Sequence, residues 1–316
     1  MKKVLITGAA GTIGRNVIKY LLSEGKYEIT ALDIKTPRNK RYLNKYRKRV
    51  NVIYGDITDS NLMEALVKEM NFVIHLASAN MNMGNLNQNL TYEIDFKGTE
   101  NIVRIIDFYN PDCHLLYASS ASVYGHQDKE FVSTSTAPNL NQDDVYSLAK
   151  LEAEEIIKKK LKNYSIYRLP VVLCNPITDN FIFTYSKNSC IETVADTDAA
   201  YMFSRAIDKI DEVNKKTFNV GGGENCRLTG QELSNEMLKH YGLTRKYLNS
   251  RVFFDKNFYS YYFKDSDKLD EILSYRNDSI KSYFMRVRRR KAKYKIRKLF
   301  AKPFIKKNKK VVDKNK

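Results

Sequence analysis

Cysteine is scarce and unpaired in this 316-residue chain, where Cys113, Cys174, Cys190 and Cys226 stand far apart. Such spacing signals neither a disulfide framework nor a zinc site, and it fits a reducing cytoplasm. Long apolar runs are missing too. No stretch approaches the roughly 20 apolar residues of a membrane span. The apolar start Val4-Leu5-Ile6 stops at Thr7-Gly8, too soon for a secretory leader. The four histidines, His75, His114, His126 and His240, are dispersed and read as non-catalytic. No internal repeat is evident, and no metal site is expected.

What is present is an ordinary globular body with an unusual end. Hydrophobic residues make up 43% of the chain and aromatics 12%, values that exclude a disordered protein. The net charge of +18 is localised: residues 286–316 hold 16 Lys/Arg against Asp313 alone, or +15, which leaves 18 − 15 = +3 for the rest. The segment Ser282–Leu299 and the next residue place Phe284, Val287, Tyr294, Ile296, Leu299 and Phe300 among the basic residues. A basic amphipathic helix of that kind suits an anionic membrane surface, or docking to a membrane-bound enzyme at the inner face. Nucleic-acid binding by the same charges and a merely solvated tail are the competing readings.

Alternating patterns organise the body. Apolar runs at Lys2–Thr7, Tyr27–Leu32, Val50–Tyr54, Phe72–Leu76, His114–Tyr117 and Ser165–Leu169 read as strands. Helical spacing falls between them at Thr12–Ser23, Asn61–Glu69, Leu86–Tyr109 and Asp144–Leu161. This alternation predicts an α/β fold, a doubly wound parallel sheet of Rossmann type covered by helices on both faces. Beyond Pro170 the pattern loosens, with helices at Asp198–Ile210, Leu228–His240 and Ser266–Leu273, a strand at Thr217–Val220 and a dense aromatic stretch at Tyr247–Phe263. The expected division is a dinucleotide-binding domain over 1–170, a reduced substrate lobe over 171–278 and a basic tail over 279–316, helical across Ser279–Leu299.

Two motifs carry the chemistry. Gly8-x-x-Gly11-x-x-Gly14 joins a strand to a helix, so the bare backbone can turn tightly and bring a pyrophosphate to the helix N-terminus. Asp33 closes the second strand 19 residues beyond Gly14. A carboxylate there accepts from ribose hydroxyls and favours NAD over NADP, while Lys35 and Arg38 leave room for NADP. Further along, Tyr146 and Lys150 are four apart on a helix and share a face. The Lys150 ammonium is expected to favour the ionised Tyr146 phenol, making it a usable base.

With Tyr117-Ala118-Ser119-Ser120-Ala121-Ser122-Val123-Tyr124-Gly125 ahead of that pair, the chain resembles an extended short-chain dehydrogenase/reductase. Within that group it is similar to the NAD-dependent epimerase/dehydratase family, through the Asn219-Val220-Gly221-Gly222-Gly223 stretch. The resemblance implies that Ser120 holds the reacting oxygen, Tyr146 is the general acid/base, and Lys150 binds the nicotinamide ribose and lowers the tyrosine pKa. It implies cofactor contacts at Gly8, Gly11, Thr12, Ile13, Gly14, Asp33, Asp56, Ile57, Leu76, Ala77, Ser78, Tyr146, Lys150 and Pro170. Ser119 and Ser122 read as structural hydroxyls, Tyr124 as a packing residue, and Asp196 and Asp198 as much as helix caps as substrate ligands.

Four departures narrow the reaction. Sugar 4,6-dehydratases of the family carry an Asp-Glu pair where this chain has Ala121 and Ser122, which argues against elimination of water. The asparagine usual three residues after the arginine matching Arg168 is Val171. The segment Pro176–Asp196, about twenty residues, is shorter than the family's nucleotide-gripping insertion. The usual asparagine before Gly98-Thr99 is Asp95, read as a milder change near the cofactor. The implied activity is an NAD-dependent epimerase or ketoreductase acting on a sugar hydroxyl, with a nucleotide sugar as the expected substrate and room for a homodimer. The alternative is a non-catalytic dinucleotide-binding scaffold or redox-responsive membrane-surface protein.

Overall fold

A computed structural model describes residues 1–79, 87–174, 185–240 and 259–288. Seven strands form one parallel sheet: β1 (Lys2–Thr7), β2 (Tyr27–Asp33), β3 (Asn51–Tyr54), β4 (Phe72–His75), β5 (His114–Ser120), β7 (Tyr164–Leu169) and β10 (Lys216–Asn219). Their spatial order is β10-β7-β5-β4-β1-β2-β3. The order reverses between β4 and β1, so the carboxyl ends of these strands open the crevice where doubly wound sheets bind ligands. The strands are near-continuous apolar runs because both faces are covered. On one face Val17, Ile18 and Leu21 of the Thr12–Glu24 helix pack with Met202, Phe203 and Ala206 of the Asp196–Asp208 helix. On the other, Met63, Ile102, Ile105, Ala153 and Ile157 from three helices meet Leu5, Val73 and Leu115. The doubly wound expectation is borne out.

Helix limits follow local chemistry. Asp59 caps Ser60–Val67 by accepting from the N–H groups of Asn61 and Leu62, and Asp144 caps Val145–Lys160 by accepting from Ser147 N–H. Gly25 closes Thr12–Glu24 in the left-handed region, at φ 70°. The long pattern read over Leu86–Tyr109 is instead Gln88–Tyr92, a π-helical turn at Glu93–Lys97, and Gly98–Tyr109. That wider turn re-aims Asp95 into the interior, where it is fully buried.

Two elements beyond residue 170 belong to the central body: β10 pairs with β7, and the Asp196–Asp208 helix packs on Thr12–Glu24. A smaller layer lies beside the sheet. β8 (Val171–Leu173) runs parallel to β9 (Cys190–Ala195), and β9 runs antiparallel to β11 (Arg227–Thr229). A separate pair joins β6 (Phe131–Val132) to β12 (Tyr262–Phe263), tying the end of the chain to the loop before the Val145–Lys160 helix. No helix among the described residues is long and apolar enough to cross a membrane. The tail is helical over Ile280–Arg288, and the rest of the basic segment lies outside the described residues.

Candidate active site

The glycine turn and the ends of β1, β2 and β4 enclose an open cleft of about 1400 Å³. Gly8, Gly11, Thr12, Asp33, Asp56, Ile57, Leu76, Ala77 and Ser78 all line it. Gly8 sits at φ 65°, and a Cβ there would lie 2.7 Å from Ala77 N and 2.8 Å from the Leu76 carbonyl. Only a bare backbone allows loop and strand end to approach that closely. Gly14 and Ile13 stand one layer back: a Cβ on Gly14 would meet the Gly8 carbonyl at 2.6 Å, and Ile13 packs against the core. The open backbone of the turn, continuous with a helix N-terminus, fits the pyrophosphate of a dinucleotide.

Asp33 is already held by its own chain. Its Oδ2 accepts from Ala10 N–H at 2.8 Å, and Oδ1 accepts from Ile34 N–H and Asn39 Nδ2, each at 2.8 Å. Burial pushes its carboxyl up, against the pull of the Ala10 and Ile34 N–H groups. Arg15, Arg38 and Asn39 line the same part of the cleft. Arg15 lies 4.0 Å over the Tyr42 ring. Sequence reasoning missed Arg15 and Asn39, whereas Lys35 stays exposed outside the lining residues.

The residues expected to handle a proton converge at the end of β5. Ser120 is the last residue of that strand, and its Oγ accepts from Ser122 N–H at 3.1 Å, which caps the short turn Ala121–Tyr124. Tyr146 starts the inward face of its helix, continued by Lys150, Ala153, Glu154 and Ile157 at helical spacing. Ser120 and Ser78 hydroxyls face the Tyr146 phenol. Lys150 Nζ lies 5.9 Å from the Tyr146 ring centre, 5.0 Å from that of Tyr117, and donates to the Ala118 carbonyl at 3.2 Å.

Electrostatics correct one expectation. Lys150 does pull the Tyr146 pKa down, as do the Ser120 and Ser78 hydroxyls, but burial acts more strongly and Asp95 adds to it, so the phenol titrates above its ordinary value. Lys150 itself stays charged. Burial opposes its ammonium, yet Tyr117, Asp95 and Tyr146 together hold it above the usual lysine range. His75 is buried between Thr7 Oγ1 at 2.7 Å and Thr99 Oγ1 at 3.0 Å, with burial pushing it down to about 3.

Ser120 also opens onto a second cavity, lined by Ala121, Ser122, Pro170, Val171, Tyr185, Glu192, Tyr259, Tyr261 and Phe263 among others. Glu192, a carboxylate in that lining, is saturated: it accepts from Gly223 N–H, Ser266 Oγ, Arg227 Nε and Phe263 N–H. Tyr261 donates to the Ala121 carbonyl at 2.5 Å, and Tyr259 donates to Asp144. Pro170 lines this pocket and not the cleft at the glycine turn. Asp196 and Asp198 face elsewhere, Asp198 accepting from the N–H groups of Asn277 and Asp278.

Residues 4–196 match the family described as the NAD dependent epimerase/dehydratase family. The chain belongs to that family. The family resemblance expected from Gly8-x-x-Gly11-x-x-Gly14 and Tyr146-x-x-x-Lys150 is borne out. D-erythronate dehydrogenase of Haemophilus influenzae is 26% identical over 182 residues, which are 55% of this chain and 56% of that protein. The chain spans about half the length of the curated relatives it matches. Among solved structures, dTDP-glucose 4,6-dehydratase from Bacillus anthracis, in complex with NAD, superposes with a TM-score of 0.75 at 17% identity, covering 93% of this chain and 98% of that one. UDP-glucuronic acid 4-epimerase from Bacillus cereus, in complex with UDP-glucuronic acid and NAD, gives 0.74 at 18% identity, covering 91% and 99%. At such identities the likeness establishes the fold of this epimerase/dehydratase family member.

Proposed function

We propose that this chain is an NAD-dependent enzyme that oxidises and reduces a carbinol of a sugar, as an epimerase or ketoreductase with a nucleotide sugar as substrate. The observation that carries the reading is the Tyr146 phenol facing both Ser78, which lines the dinucleotide cleft, and Ser120, which lines the tyrosine-rich pocket, with Lys150 Nζ 5.9 Å from its ring centre. Gly8, Gly11 and Thr12 would hold the pyrophosphate, Asp33 the adenosine ribose, and Asp56 and Ile57 the adenine side. When bound, NAD supplies the hydride acceptor and donor.

The chain's own residues handle the proton. Ser120 Oγ orients the substrate oxygen toward Tyr146. Tyr146 takes the hydroxyl proton during oxidation and returns it during reduction. Lys150, charged and buried, stabilises the phenolate between those events. Elimination of water would need a further acid and base near Ser120. Ala121 and Ser122 follow it instead, and Glu192 is spent on four donors. Pure hydride transfer is thus favoured over dehydration.

The test is to purify the full chain, identify bound dinucleotide by absorbance and mass, and assay Tyr146→Phe on a panel of nucleotide sugars and sugar acids. Turnover is expected to fall about 10²- to 10⁴-fold with NAD affinity unchanged. Wild-type turnover by Tyr146→Phe on every accepted substrate would overturn the reading.

A further inference from the structure

Asp95 and Lys150 form an ion pair at 3.0 Å, with side-chain exposures of 0% and 3%. The other carboxylate oxygen of Asp95 accepts from Ala79 N–H at 3.0 Å, and its backbone carbonyl accepts from Thr99 Oγ1 at 2.7 Å. The residue is thus pinned by the strand end after β4 and by the helix that follows it. A neutral amide of the same shape would give Ala79 N–H an equal acceptor. The negative charge of Asp95 therefore has its consequence on the lysine, not on the backbone.

A buried ammonium and carboxylate in contact form a dipole, whose field falls off faster than that of the ammonium alone. Tyr146 lies next to that dipole. The titratable groups acting on it are Lys150 from its own helix, Asp95 from the π-helical turn, Tyr117 from β5 and Tyr259 from the segment before β12; His75 on β4 acts on Lys150, and Asp144 on Tyr259. Of these, Lys150 is the cation, and Asp95, its ion-pair partner, opposes it in part. We propose that Asp95 is a positioning residue for the Tyr146–Lys150 pair: its carboxylate fixes the ammonium and offsets part of its pull on the phenol. The inference rests on Tyr146 being the acid/base.

The test reads the phenol directly. Full-length protein labelled with [¹³Cζ]tyrosine is titrated by NMR, with the Tyr146 resonance assigned by its loss in Tyr146→Phe. In Asp95→Asn the Tyr146 midpoint is expected to move down by at least about one pH unit, a tenfold gain in acidity. Asp95→Ser, smaller and without the amide, is expected to move it the same way and serves if the first variant misfolds. A midpoint in both variants within about 0.2 pH unit of wild type, or above it, overturns the role of Asp95. Lys150→Met separates the two levels of the claim. It should raise the midpoint, and if it leaves the midpoint unmoved, the Tyr146–Lys150 coupling behind the proposed function fails instead.

Discussion

The Arg168 guanidinium grips the Glu154 carboxylate through two hydrogen bonds, Nε to Oε1 at 2.9 Å and a terminal nitrogen to Oε2 at 2.7 Å, with Ser119 Oγ adding a third at 2.6 Å. Glu154 is four residues beyond Lys150 on the same helix, so this pair fastens the Val145–Lys160 helix to β7. Glu154→Ala would leave a buried guanidinium without its counter-ion, and a loss of about 3–5 kcal/mol in urea unfolding is expected. Burial alone would raise the Glu154 carboxyl, but Arg168, Lys158 and Ser119 hold it below the ordinary value. An acid depressed on folding stabilises above its unfolded pKa and loses that contribution as pH falls. The gap between wild type and Glu154→Ala should therefore narrow below about pH 4.

Asp198 has the opposite sign. Burial pushes its carboxyl up to about 6, against the two N–H donors of Asn277 and Asp278. The folded protein then binds a proton more tightly than the unfolded chain, so this group weakens the fold as pH rises from about 4 to 6. Asp198→Asn keeps an acceptor for both N–H groups and removes the titration. Relative to wild type it should lose that slope and be no less stable at neutral pH, as thermal unfolding across the range would show.

Gly8→Ala combines a left-handed backbone angle with a Cβ driven into Ala77 N and the Leu76 carbonyl. A cost of about 2 kcal/mol or more is expected from backbone strain and overlap. NAD affinity, read by calorimetry on the folded fraction, should fall along with the melting temperature.

Tyr259→Phe removes the hydroxyl that ties the chain's end to Asp144, the cap of the catalytic helix. Tyr259 also lines the pocket beside Ser120. KM for the sugar substrate should rise by up to about tenfold, the worth of one hydrogen bond, while NAD affinity holds. An equal loss of both affinities would place Tyr259 in general folding instead.

Local chemistry made much of this legible. The glycine turn, Asp33 and the Tyr146–Lys150 spacing each announce themselves within a few residues, and the strands β1, β2, β5 and β7 read as short, mainly apolar segments. What hid from the sequence depends on distant partners. Asp95 read as a mild exchange because Lys150, 55 positions on, meets it only in the folded chain. β9 went unread because Glu192 and Thr193 interrupt its apolar pattern, although both are buried and satisfied from Arg227, Phe263 and Cys226. Arg15 follows the glycine motif directly, and its helix position beside Gly11 was the available signal. Residues 247–258 of the predicted aromatic lobe lie outside the described residues, but Tyr259, Tyr261 and Phe263 do pack around the pocket.

The β6–β12 pairing has a consequence for how the protein is made. Nearly all residues of the dinucleotide cleft lie before position 95, whereas the wall of the substrate pocket is completed by Tyr259, Tyr261 and Phe263. A ribosome delivers the first set long before the second. During synthesis the chain can assemble its nucleotide crevice while β6 still waits for a partner, and Val132, buried in the folded protein, stays uncovered until β12 arrives. The nascent chain acquires the means to hold a cofactor before the means to choose a substrate.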